Sequence, residues 1–78
     1  MEGGIVELFD RRVELQQQLN QCNTNIRIME LKYKRNNIKL ARDDLTNKII
    51  MEKQNVKAII DELIAINNSI DLYKLLGE

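Results

Sequence analysis

The chain has 78 residues, enough for one small domain, and its 12 basic and 12 acidic side chains cancel to zero net charge. It has no histidine, no proline and a single cysteine, Cys22, which excludes a disulfide and removes the commonest general base and metal ligand. A balanced charge also argues against non-specific electrostatic binding by the molecule as a whole.

The N-terminal stretch Met1-Glu2-Gly3-Gly4 has no basic residues and no apolar run after it, so no signal peptide is expected. No segment reaches 18 apolar residues without charge, so no membrane span is expected. With one cysteine and no secretion signal, the expected location is intracellular, cytoplasmic or nuclear.

From residue 5 the apolar residues recur every three to four positions. The row runs Ile5, Leu8, Arg12, Leu15, Leu19, Cys22, Ile26, Met29, Tyr33, with Arg12 the one interruption. In heptad terms Ile5, Arg12, Leu19, Ile26 and Tyr33 take the a positions, and Leu8, Leu15, Cys22 and Met29 the d positions. Such a seam, held over about four heptads, is the sequence sign of a coiled coil. No glycine or proline lies between residues 5 and 76, so nothing there is obliged to break a helix.

A basic segment follows: residues 32–57 hold eight bases and three acids, while the segments on either side are net acidic. Lys32, Lys34, Arg35, Lys39 and Arg42 form its densest part and are the candidate contacts for an anion or a nucleic acid. Of the three aromatic residues only Tyr33 lies near them, and no nucleic-acid recognition motif accompanies them. A solvated charged face is the plainer reading of such a run.

Arg35-Asn36-Asn37 is the best turn candidate, because asparagine tolerates the left-handed conformation that ends helices, and Lys32, Lys34 and Arg35 suit a helix C-terminus. Asp43-Asp44 is the second. Against both stand the lack of glycine or proline and the poor fit of Lys39 and Arg42 to a helix start.

The second apolar row runs Leu45, Ile49, Glu52, Val56, Ile59, Leu63, Ile66, Ile70, Tyr73, interrupted only by Glu52. It is out of phase with the first by two residues, roughly 200° around a helix. The expected architecture is therefore all-α: a helix over about 5–35, a turn at about 36–37 and a helix over about 38–76, in a single coiled-coil domain spanning 1–78. This helical hairpin would assemble into a multi-helix bundle. The alternative is one long continuous helix in an oligomeric coiled coil, with a different partner on each half. Ile60, Ile64, Leu72 and Leu76 lie outside the second seam and mark a second interface, because such a broad stripe exceeds what one partner helix covers.

Arg12 and Glu52 either set register with a partner or lie at solvated layers. With the turn at 36–37, Arg12 falls near Asp61 and Glu62. Cys22, at a d position without a His or CxxC mate, reads as a small core residue more readily than as a reactive thiol. Adjacent carboxylates such as Asp61-Glu62 point around a helix and not into a cleft, and no phosphate loop, zinc spacing or nucleophile elbow is present.

The expectation is a structural or adaptor protein without enzymatic activity or cofactor. It acts through helix–helix association, as a homo-oligomer or as a small subunit of a larger helical complex. The alternative is a small dimeric nucleic-acid-binding protein that uses the basic middle.

Overall fold

A computed structural model describes residues 2–76; Met1, Gly77 and Glu78 of the single domain expected over 1–78 lie outside the described residues. Two helices, α1 (Glu2–Arg35) and α2 (Lys39–Leu75), pack side by side as a hairpin 59 Å long and 14 by 13 Å across. A 37-residue helix is about 55 Å long at 1.5 Å per residue, so α2 alone accounts for the length of the rod. The chain turns back, and the continuous-helix alternative is set aside.

Both helices are uninterrupted because their sequences lack breakers, and their mid-helix hydroxyls turn onto the helix's own backbone without breaking it. Thr24 donates to the Asn20 carbonyl, Thr46 to Arg42 and Ser69 to Ala65, each four residues back at 2.9–3.0 Å. The turn occupies Asn36, Asn37 and Ile38. The Asn36 amide donates to the Tyr33 carbonyl at 3.3 Å, and its side-chain Oδ1 accepts the Ile38 N–H at 2.9 Å. Asparagine thus closes the turn with its own side chain. The last turn of α1 carries Lys32, Lys34 and Arg35, which complement the carbonyl end of the helix.

The two apolar rows face each other. None of the eighteen positions from Ile5 to Tyr33 and from Leu45 to Tyr73 named above is exposed. The fully buried centre is small: Leu15 and Ile70 at 1% exposure and Ile66 at 7%. Leu8, Phe9, Ile59 and Leu63 pack around it, half-buried. The phase slip between the rows is absorbed by the turn. Leu40, which would continue the first row, is 81% exposed, and Leu45 begins the inward row of α2 instead.

At the open end Gly4 allows a close approach. A Cβ there would come within 2.7 Å of the Tyr73 hydroxyl, so the absence of a side chain lets the tyrosine lie over the start of α1.

Candidate helix-docking faces and basic turn

The inward face fixes what the outward faces can offer. All fifteen apolar interface candidates lie on it, half-buried or buried: Ile5, Leu8, Leu15, Leu19, Cys22, Ile26 and Met29 from α1, and Leu45, Ile49, Val56, Ile59, Leu63, Ile66, Ile70 and Tyr73 from α2. They cover each other within one chain. Twelve of the fifteen are half-buried, and Cys22, Ile49, Ile59 and Tyr73 also line grooves open to solvent.

The two polar interruptions stay on the inward face. Arg12 Nη1 donates to Asn67 Oδ1 at 3.1 Å, and its guanidinium lies 4.9 Å from the Phe9 ring centroid. The expected neighbourhood of Asp61 and Glu62 is corrected: Arg11, not Arg12, meets Glu62, Nε to Oε2 at 2.8 Å. The reason is the lean of helical side chains toward their own N-terminus. In an antiparallel pair that lean carries Arg12 away from the turn, so it reaches a residue later in α2. The Glu62 and Glu14 carboxylates hold the Arg11 guanidinium above its usual range. Both Arg11 and Glu62 side chains are nearly half exposed, so solvent screens the pair and its contribution to stability is small.

Glu52 lies across the seam from Cys22. The hydrogen bond to the Glu52 carboxylate, then burial, then the carboxylate's charge push the Cys22 thiol above its ordinary value. Cys22 is therefore held as the neutral thiol, a poor nucleophile. Glu52→Gln is expected to lower the Cys22 pKa and to speed alkylation by iodoacetamide at mildly alkaline pH. Equal rates in the two proteins would contradict this contact. Because the folded-state pKa is raised, the stabilisation is complete below the unfolded thiol's pKa and is lost as pH rises through the folded value. Unfolding in alkaline denaturant series should show that loss in wild type and less of it in the variant.

The seam positions divide the outside of the rod into two flanks. In an antiparallel pair the e positions of both helices share one flank and the g positions the other. The Arg11–Glu62 pair joins two g positions. One groove on the e flank is lined by Glu30, Tyr33 and Lys34 of α1 and Thr46, Ile50 and Lys53 of α2. A second, on the g flank, is lined by Gln18, Gln21 and Cys22 with Asn55, Ala58 and Ile59.

Ile60 and Ile64, at e and b positions of α2, stand one turn apart on the first flank and are 40% and 54% exposed. Val13, 52% exposed at a b position of α1, shares that flank. Leu72 and Leu76 stand more than two turns beyond Ile64, farther round the helix toward the g flank, and line a hollow with Ser69 and Tyr73. The four residues of the expected second interface are thus all outside the seam, and they form two pairs, not one patch. Leu75, 82% exposed between them, continues the apolar arc around the end of α2.

The hairpin gathers the basic candidates at the opposite end of the rod. Lys32, Lys34, Arg35 and Lys39 are exposed around the turn. Arg42 is half-buried, with its guanidinium 4.2 Å from the Tyr33 ring centroid, bracing the first turn of α2 on the last turn of α1. Its Nε is buried without a hydrogen-bond partner, so the ring face is what receives the charge. Ile38 and Leu40 project among these bases at 66% and 81% exposure. Leu40 falls at an outward f position of the second row, whereas Ile38 lies one heptad before Leu45, on the inward phase, and is exposed because it sits in the turn ahead of the first residue of α2.

Among the described residues no helix is long and apolar enough to cross a membrane, and no group of three or more carboxylate, thiol or imidazole side chains is placed to hold a metal ion. No family model matches the chain, and neither a curated protein nor a solved structure is significantly similar to it.

Proposed function

We propose that the chain is a structural or adaptor element, a helical hairpin of coiled-coil type that works by binding further helices. It does so either by self-association into a bundle or as a small subunit of a larger helical complex. The observation that carries this reading is an imbalance in burial. Among the described residues only Leu15, Ile66 and Ile70 are buried, while thirteen large apolar side chains are exposed. A core of that size supplies little stability on its own, and apolar side chains left uncovered within the chain gain by burial against a further helix. The outward arc of α2 from Ile60 to Leu76 is where another helix would gain the most.

The test is molar mass by sedimentation equilibrium over a micromolar dilution series, with helicity followed in parallel. A multiple of the chain mass that falls on dilution is expected. A poorly helical monomer that folds only with another protein would assign the hairpin to a hetero-complex. A fully helical monomer at every concentration would overturn the reading. The competing function, a dimer that offers its basic segment to nucleic acid, draws on the turn. It requires duplex binding that weakens steeply with salt.

A further inference from the structure

Lys32, Lys34, Arg35, Lys39 and Arg42 fall within eleven consecutive residues that contain no acid. None of the five takes part in an ion pair among the described residues. Ile38 and Leu40 stand in their midst, 66% and 81% exposed. The turn holds Ile38 in place: its N–H donates to Asn36 Oδ1 at 2.9 Å, and its carbonyl accepts the Arg42 N–H at 3.0 Å.

The helix start at this point is poor by local rules. Ile38 is the N-cap of α2, extended at φ −90° and ψ 118°, and makes no capping hydrogen bond. The first turn of α2 has no acidic residue and contains Lys39. A serine or aspartate at 38 and an acid at 39 would make a firmer start. Exposed positions that forgo stability in this way are where function is expected to override fold.

We infer that this turn is an anchor for an anionic lipid surface. Lys32, Lys34, Arg35 and Lys39 meet the headgroup phosphates and carboxylates, and Ile38 and Leu40 enter the boundary of the acyl chains. Cations with aliphatic side chains among them are the combination that interfacial binding uses. Nucleic-acid phosphates would engage the same cations but leave Ile38 and Leu40 in water, which is why a lipid surface is the occupant favoured. The narrow rod, 59 Å long, would place its apolar open end well away from the membrane, free for a helical partner.

Vesicle flotation tests this on the full chain, using phosphatidylcholine alone and phosphatidylcholine with about a third of the lipid as phosphatidylserine. Wild type is expected to float with the mixed vesicles only, and less as salt is raised. Lys32→Gln/Lys34→Gln/Lys39→Gln should weaken partition about a hundredfold, at about fivefold per charge. Ile38→Ser/Leu40→Ser should weaken it at least about tenfold. Helicity should hold or rise in this second variant, because serine at position 38 supplies the missing cap; loss of binding is thereby separated from loss of fold. Failure of wild type to float with the phosphatidylserine vesicles overturns the inference. So does salt-sensitive binding to duplex DNA combined with vesicle binding that Ile38→Ser/Leu40→Ser leaves unchanged, which would give the turn to nucleic acid. The oligomer mass, measured separately, does not bear on either result.

Discussion

Leu15→Ala is expected to remove most of the stability of the hairpin. Leu15 is 1% exposed and meets the half-buried ring of residues that surrounds Ile66 and Ile70. Truncating a buried leucine to alanine costs about 2–5 kcal/mol. A domain of this size rarely draws more than about 3–5 kcal/mol from its core. The two figures are comparable, so the variant should melt at least about 10 °C below wild type. Leu19→Ala, on the same row but half-buried, should lose less. Thermal unfolding followed by circular dichroism distinguishes them. Equal losses at the two positions would mean that the buried centre does not lie at Leu15. Ile70→Ala is the matching change on α2 and should repeat the Leu15 result.

Ile60→Asp/Ile64→Asp is expected to abolish association without unfolding the hairpin. Both side chains are already 40–54% exposed, so the carboxylates remain hydrated in a single hairpin. In a bundle that covers this flank, each would be buried without a partner, at a cost of several kcal/mol. Two such groups should raise the dissociation constant by at least about a thousandfold, since each 1.4 kcal/mol is tenfold. Met51→Asp, 65% exposed at a c position on the other flank, is the control and should leave the mass unchanged. If the mass falls with Met51→Asp and holds with the Ile60/Ile64 pair, the docking face lies on the g flank. If it holds with both, the exposed arc nearer Leu75 and Leu76 is the remaining apolar surface at that end.

The basic turn and the acidic open end make the rod electrically polar. Residues 32–57 are net basic and the segments before and after them net acidic. Folding into a hairpin converts this linear pattern into a difference between the two ends, because both acidic segments return to the same end. Association of hairpins and binding at the turn therefore call on different parts of the molecule, and the variants above separate them.

What could be read from the amino-acid sequence was whatever depends on helical period. The 3–4 spacing placed eighteen residues on two inward faces, and the structure leaves none of the eighteen exposed. Arg12 and Glu52 followed the same rule despite their charge, because position along a helix decides direction before chemistry does. The lack of breakers predicted long uninterrupted helix and counted against a turn, while the asparagines at 36–37 marked the best place for one because asparagine tolerates the conformation that ends helices.

Tertiary structure decided what depends on one helix meeting the other. Hairpin and continuous helix share the same local propensities. The choice between them rests on burying Leu15 against Ile66 and Ile70 through a turn whose helix start is poor. The partner of Arg12 likewise escaped the count of residues from the turn, since side-chain lean in an antiparallel pair moved it to Asn67. The exposure of Ile38 among the bases had the same origin. It lies one heptad before Leu45, on the inward phase, and only the path of the chain through the turn, ahead of the first residue of α2, leaves it nothing to be buried against.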